Sequence, residues 1–258
     1  LNKMEVFLNP DAWIALLTLT FLEIVLGIDN IIFISIATGK LPAEKRKKAT
    51  KLGMFLAMFM RIALLFGINL LIQMKEPWFH IDLSWFSAGI TGQSIILLLG
   101  GLFLIYKSTN EIREKVDEKG HEEKEMKEAA TKSFQNVILQ IIMIDLVFSF
   151  DSILTAVGMT NGVEGAIYIM ITAVIISVFI MMQFAVPVGN FVNNHPSIQI
   201  LGLAFLILIG MMLLTESAHL SNALIFGSHV TPLPKGYLYF AITFSLVVEM
   251  INMKIKKK

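Results

Sequence analysis

The sequence contains no cysteine, which excludes disulfide bonds, thiolate metal sites and a cysteine nucleophile. Charged residues are also scarce, at 16% of 258 residues, and the formal net charge is only +1. Because nucleic-acid-binding proteins carry a strong basic footprint, we expect no nucleic-acid partner. The chain begins "LNKM", and we expect Met4 to be the natural start. No cleavable signal peptide is expected, since the first apolar run is too long and carries acids.

Apolar residues dominate the chain, at 55% of the total, and the mean hydropathy is +0.72. Long apolar runs in such a composition are typical of membrane-spanning helices. A window of about 19 residues predicts seven spans, and therefore an all-α membrane protein. The predicted spans are residues 12–37, 52–73, 91–107, 134–158, 164–186, 197–216 and 236–253. At about 1.5 Å per residue, each approaches or exceeds the ~30 Å of a hydrocarbon core, the third and seventh being the shortest.

Lysine and arginine are concentrated in three segments, and their distribution predicts the orientation of the chain. The segments are "KLPAEKRKKATK" after the first span, the connection from Lys107 to Lys132, and the tail "KIKKK". With seven spans all three fall on one side of the membrane, whereas an even number of spans would divide them. We therefore expect the N-terminus outside and the C-terminus in the cytoplasm.

Two stretches in the first and fourth predicted spans resemble each other. "EIVLGIDNIIFISIATG", from Glu23, aligns with "DLVFSFDSILTAVGMTN", from Asp145. Each contains an acid, five further residues, a second acid and a small polar residue. We therefore divide the chain into a first three-helix repeat (1–110), a charged cytoplasmic linker (111–133), a second three-helix repeat (134–218) and a seventh helix with a basic tail (219–258).

The two repeats are expected to be inverted, because each contains an odd number of spans. Inverted repeats, related by an axis in the membrane plane, are typical of transporters with a substrate site near the midplane. Glu23 and Asp145 lie about halfway along their spans. Inversion carries Asp29 toward the cytoplasm and Asp151 toward the outside, so the four acids could line one path.

The chemistry of these groups predicts a site for a hard divalent cation. One charge at the bilayer centre costs ~2.5–3.5 kcal/mol, so four carboxylates must meet each other, a cation or a proton. All the donors are oxygens, which suit Mn²⁺, Mg²⁺ or Ca²⁺. Met143 could add a thioether that favours Mn²⁺ over Mg²⁺, although apolar filler is the simpler interpretation. The candidate ligands are Glu23, Asp29, Asn30, Asp145, Asp151 and Ser152.

Two further residues bear on this site. On a straight helix, at about 100° per residue, the polar groups would spread over a wide arc, and we expect Gly27 to open the helix there. Arg61 lies inside the second predicted span and needs a charge partner, for which Asp29 is a candidate. The alternative is that the acids only hold helices together. One arginine cannot balance four carboxylates, however, and the duplicated spacing favours an ion site.

The paired motifs "EIVLGIDN" and "DLVFSFDS" resemble the signatures of the TerC family of integral membrane proteins. "GGLFLIYKSTNEI" in the third span is similar to that family's pattern, and the resemblance extends from about Met4 to Asn252. The family is named for an association with tellurium resistance, and bacterial members are associated with Mn²⁺ export. The resemblance implies that the six candidate ligands in the two motifs form the metal site.

Sequence and resemblance together predict an exporter of a divalent cation, Mn²⁺ before others, that works by alternating access in the bacterial inner membrane. We found no nucleotide-binding motif, so we expect a gradient to drive transport, with protons as a candidate counter-ion. No cofactor and no enzymatic activity are expected, since the motifs "YD" and "GxGD" of intramembrane aspartyl proteases are absent. The alternatives are a Ca²⁺ transporter, or a membrane scaffold for secretion or tellurium and metal stress resistance, with structural acids.

Overall fold

A computed structural model describes residues 10–117, 134–160, 163 and 165–256; within these ranges the side chains of residues 28, 29, 69, 117, 151 and 256 are not described. Seven helices of this part of the chain are long and apolar enough to cross a membrane, which confirms the predicted spans. The helices are α1 (Pro10–Gly39), α2 (Ala43–Phe66), α3 (Ile68–Gln73), α4 (Gly92–Asp117), α5 (Phe134–Met159), α6 (Ala166–Asn193), α7 (Pro196–Leu220) and α8 (Lys235–Lys256).

Two helices extend well beyond the apolar runs that predicted them. α2 begins at Ala43 rather than residue 52, because "AEKRKKATK" consists mostly of strong helix formers. It ends at Phe66, and the remainder of the predicted span forms α3 after Gly67. α4 continues past residue 107 to Asp117 through "EIREKVD", so the first residues of the predicted linker are helical. Residues 118–133 of that linker lie outside the described part of the chain.

A small antiparallel sheet adds to the predicted all-α architecture. Its strands are β1 (Pro77–Asp82), β2 (Phe86–Thr91), β3 (Leu224–Ile225) and β4 (Ser228–His229), paired in that order. β1 and β2 form a hairpin in which His80 pairs with Gly89, and β3 joins the other edge of β2. The strands are too short to cross a bilayer, so a search for long apolar runs does not detect them.

The first of two compact units contains α1, α2, α5 and α6. α1 packs mainly against α6, and α2 packs against both α5 and α6. Small residues of α6, including Ala173, Ser177, Ala185 and Gly189, are buried and allow the helices to approach closely. The repeat of the two motifs makes α1 equivalent to α5 and α2 equivalent to α6. The contact between α1 and α6 is therefore the counterpart of the contact between α5 and α2. The inverted relation itself and the orientation of the termini remain predictions.

The second compact unit contains α3, the sheet, α4, α7 and α8. α4 and α7 are in backbone contact, since a Cβ added to Gly101 would lie 2.7 Å from the carbonyl oxygen of Gly210. Ser217 of α7 donates a hydrogen bond to the carbonyl oxygen of Ser94 at 2.6 Å. Each unit thus takes helices from both halves of the chain, and neither coincides with one of the segments into which we divided the sequence.

Large apolar side chains remain exposed on the outer faces of the helices. On α1 these include Trp13, Leu17 and Phe21, which are 51–70% exposed and recur at a helical spacing. On α2 they include Phe55 and Phe59. Extended apolar faces of this kind are unfavourable in water and suit contact with lipid.

Candidate functional site

Three charged side chains are buried together within the first unit. Glu23 lies near the middle of α1 and Asp145 near the middle of α5, with 3% and 6% of their surfaces exposed. Arg61 of α2 is only 4% exposed. The sequence predicted the two acids as midplane residues and Arg61 as a charge partner inside a span. The fold brings the three together.

Arg61 bridges the two acids with its guanidinium group. Its Nε donates to Oδ2 of Asp145 at 3.1 Å and its Nη2 donates to Oδ1 of Asp145 at 2.6 Å. Its Nη1 donates to Oε2 of Glu23 at 2.5 Å. The pairing with Asp145 is bidentate, the strongest arrangement that a guanidinium group and a carboxylate can form. Arg61 therefore connects an acid of the first repeat to the matching acid of the second.

Two polar neighbours complete the environment of Asp145. Asn30 donates through Nδ2 to Oδ1 of Asp145 at 3.4 Å, and Ser149 donates through Oγ to Oδ2 at 3.0 Å. Ser152 instead donates to the carbonyl oxygen of Ser149 at 3.3 Å, within its own helix. Oδ1 of Asn30 is buried and accepts no hydrogen bond from the described residues. This amide oxygen is thus an acceptor without a donor among the described residues, on a side chain that also bonds to Asp145.

A small cavity opens beside these groups. Its volume is about 20 Å³, and its lining includes Asn30, Arg61 and Asp145. That volume is close to the minimum of about 10–15 Å³ that a single water molecule needs. Met54 and Met181 also line the cavity. Met143, which the sequence suggested as a thioether donor, is 46% exposed and does not line it, so that suggestion is wrong.

The prediction that the first helix opens at Gly27 is also wrong in this structure. α1 is helical without interruption from Pro10 to Gly39. Gly27 serves close packing instead, because a Cβ at this position would lie 2.0 Å from Sδ of Met181. The glycine therefore makes room for a methionine of α6 at the wall of the cavity.

The predicted second acid of each motif cannot be placed in the same way. Asp29 lies in α1 and Asp151 in α5, but their side chains fall outside the described part of the structure. Among the side chains that are described, no three acids or histidines come together as a metal-binding group. The described centre of the site therefore consists of two carboxylates, an amide oxygen and a guanidinium group. With Arg61 charged, these groups carry one excess negative charge.

Three residues of the site were missed in the sequence. Ser149 follows Asp145 by one helical turn, a spacing that allows a hydrogen bond between their side chains. Met54 precedes Arg61 by two turns on α2, so that both face the same cavity. Met181 had no local signal, since it approaches the site from a different helix and is one of 15 methionines.

The second unit holds a separate buried charge pair. Nζ of Lys107 lies 2.8 Å from Oε1 of Glu111, one turn along α4, and Glu111 is 2% exposed. Lys115, also on α4, donates a hydrogen bond to Gln199 of α7. The bond from Lys115 to Gln199 joins α4 to α7, which pack together, whereas the pair of Lys107 and Glu111 lies within α4.

The helices and the buried charged site define a multi-span integral membrane protein with a polar centre of oxygen donors. The model of the integral membrane protein TerC family matches residues 8–258. The chain belongs to this family, as the paired motifs predicted.

Curated relatives support the same assignment. A "UPF0053 protein" of Haemophilus influenzae is 45% identical over 249 residues, which cover 96% of each chain. The "UPF0053 inner membrane protein YgdQ" of Escherichia coli K12 is 46% identical over 250 residues, covering 97% of this chain and 96% of the relative. The "UPF0053 inner membrane protein YoaE" of the same strain is 41% identical over 96% of this chain but only 44% of its own length. No solved structure matches.

Proposed function

We propose that this protein exports a divalent metal cation, Mn²⁺ before others, from the cytoplasm by alternating access. One observation carries the proposal. Two carboxylates from corresponding positions of the repeat, Glu23 and Asp145, are buried and both bind Arg61. Asp145 and Arg61 line a small cavity, and the amide oxygen of Asn30 at that cavity has no hydrogen-bond donor among the described residues. Buried ionisable groups inside membrane helices mark ion and substrate paths more often than they serve as passive structure.

The donor set suits a hard cation with some affinity for sulfur. Carboxylate and amide oxygens are the ligands preferred by Mn²⁺, Mg²⁺ and Ca²⁺. The thioethers of Met54 and Met181 at the cavity add soft donors, which Mg²⁺ and Ca²⁺ do not use. The cavity of about 20 Å³ is also small for a fully hydrated ion. We therefore place Mn²⁺ ahead of Ca²⁺ and Mg²⁺ as the cargo.

The direction and coupling of transport are further parts of the proposal. Export follows from the resemblance to TerC-family members that are associated with Mn²⁺ export. Protons are the proposed counter-ion, through protonation of one of the four motif carboxylates. The names of the YgdQ and YoaE relatives place those proteins in the inner membrane, and we assign this chain to the same membrane.

A second candidate function has its own supporting observation. Arg61 binds both Glu23 and Asp145, so their ion pairs could serve only to hold α1, α2 and α5 together. The protein would then be a membrane scaffold that supports secretion or resistance to tellurium and metal stress. The free acceptor of Asn30 and the cavity favour the carrier, since a purely structural network would satisfy its polar atoms.

Metal binding by the purified protein in detergent distinguishes the two functions. We expect Mn²⁺ to bind the unaltered protein, and Glu23→Gln or Asp145→Asn to weaken binding at least about tenfold, which corresponds to ~1.4 kcal/mol. Glu249→Gln is the matched control, because Glu249 is an acid of membrane helix α8 whose carboxylate accepts a hydrogen bond from Asn252 and not from Arg61. Absence of Mn²⁺ binding, or equal binding by all four proteins, would favour the scaffold.

A further inference from the structure

We infer that Arg61 is a tethered counter-ion that competes with the transported cation for Glu23 and Asp145, and that this competition allows the carrier to return without a metal ion. The inference rests on the proposed transport function. Arg61 is not merely a charge partner in this account, since it determines both the affinity for cargo and the return half of the transport cycle.

The competition follows from the atoms that Arg61 contacts. Its guanidinium group binds both carboxylate oxygens of Asp145 and Oε2 of Glu23. A divalent cation held between the two acids would need these same oxygens. The guanidinium group and the cation also carry charge of the same sign, so they cannot share the carboxylates at close range without strong repulsion. One must leave for the other to bind.

The location of Arg61 places such an exchange at the cavity. Arg61 itself forms part of the cavity wall, together with Asp145 and Asn30. An incoming cation in this cavity would meet the amide oxygen of Asn30, which accepts no bond from the described residues, before it displaces the guanidinium group. Displacement of the arginine side chain would then release the carboxylates.

The site is asymmetric in a way that fits this role. The acids come in a repeated pair, one on α1 and one on α5. The arginine is on α2. Its equivalent helix in the second repeat, α6, contains no charged residue over Ala166–Asn193. A single cationic side chain therefore serves acids of both repeats, as a divalent cargo ion would.

The consequence concerns the empty carrier. Two carboxylates without a cation are costly to hold inside a bilayer, so an empty site without Arg61 would resist the change of access. With Arg61 in place, Glu23 and Asp145 remain paired after the cargo leaves, and the carrier can return without a metal ion while a counter-ion proton occupies another motif carboxylate. Without Arg61 the two carboxylates would need another metal ion to balance them on return, and the carrier would exchange metal for metal rather than move it in one direction.

Proteoliposomes that contain radiolabelled Mn²⁺ separate these two activities. Net efflux is measured into buffer without metal, and exchange into buffer with unlabelled Mn²⁺. For Arg61→Gln we expect net efflux to fall at least about tenfold while exchange stays within about threefold of the unaltered protein. Loss of both activities in a folded protein that still binds Mn²⁺ would overturn the inference, as would retention of both.

Arg61→Lys supplies an independent test should Arg61→Gln not fold. Lysine keeps the positive charge but cannot form the two-bond fork to a carboxylate. As a weaker competitor it should leave Mn²⁺ bound more tightly than in the unaltered protein, by a few-fold in Kd, with net efflux partly retained. Weaker Mn²⁺ binding by Arg61→Lys would contradict competition. If the unaltered protein shows neither net efflux nor exchange, it is the transport function itself that fails.

Discussion

Substitution of Gly27 by alanine tests whether this glycine provides space or flexibility. The added Cβ would lie 2.0 Å from Sδ of Met181, far inside the ~3.5–4.0 Å of an ordinary contact. Met181 is buried, at 4% exposure, so it can move only by disturbing its neighbours. Overpacking of this kind costs ~1–3 kcal/mol, and alanine recovers ~1 kcal/mol in helix propensity. We expect Gly27→Ala to lower the free energy of unfolding by about 0–2 kcal/mol.

The effect of Gly27→Ala on stability should have the opposite sign when Met181 is also replaced by alanine. In a Met181→Ala background the contact is gone, and Gly27→Ala should raise stability by about 1 kcal/mol through helix propensity alone. The coupling between the two sites is then ~1–3 kcal/mol in a double-mutant cycle. Thermal unfolding in detergent measures it, at ~2–4 °C per kcal/mol for a chain of this size.

Mn²⁺ binding provides the second measurement, on the unaltered protein, the Gly27→Ala and Met181→Ala proteins and the double variant. Gly27 and Met181 both line the cavity of about 20 Å³, so a methyl group at Gly27 should obstruct it and weaken binding. In the Met181→Ala background, which lacks one proposed thioether donor but has room for the added methyl group, Gly27→Ala should not weaken binding further. If Gly27→Ala instead weakens binding equally in both backgrounds, the glycine acts through the flexibility of α1 and our argument from packing is refuted.

Three other substitutions and one control have expected outcomes. Ser149→Ala removes one hydrogen bond to the carboxylate on α5 and should cost ~0.5–1.5 kcal/mol in thermal unfolding without abolishing Mn²⁺ binding; complete loss of binding would assign the hydroxyl group to the metal. Gly101→Ala brings a Cβ to 2.7 Å from the carbonyl oxygen of Gly210, which cannot rotate away, and should cost at least ~1–3 kcal/mol. Gly158→Ala, where no neighbour lies within 4 Å, is its control and should gain up to ~1 kcal/mol; equal effects would contradict the backbone contact. Asn30→Leu removes the free amide oxygen and should weaken Mn²⁺ binding about tenfold, whereas unchanged binding would exclude Asn30 as a ligand.

The spans could be predicted from sequence because the bilayer sets a minimum apolar length. Their ends could not, since helices continue into charged segments that the same criterion rejects. "AEKRKKATK" at the start of α2 and "EIREKVD" at the end of α4 are both helical. The sheet was missed for a related reason, because β2 and β3 are far apart in sequence and each is short.

The acids of the site could be predicted because the repeat marks Glu23 and Asp145 as equivalent and buried. The choice of partner by Arg61 could not be predicted in the same way. The choice depends on how α2 packs against its neighbouring helices and on which acids face Arg61. In the structure Arg61 pairs with both Asp145 and Glu23. The sequence could only require that a buried arginine find some carboxylate.

The roles of Gly27 and of the methionines depended on packing between helices. A glycine beside an acid in a membrane span is consistent with both an opened helix and a close contact. Only the position of Met181 on α6 distinguishes them. Likewise, sequence proximity suggested Met143, whereas Met54 and Met181 reach the cavity from other helices.

Flux of Mn²⁺ across proteoliposome membranes tests the central claim most directly. The account predicts protein-dependent Mn²⁺ flux that is abolished by Glu23→Gln or Asp145→Asn and unaffected by Glu249→Gln. Mn²⁺ flux that persists when both buried acids are replaced, or the absence of any flux with folded, unaltered protein, would contradict it.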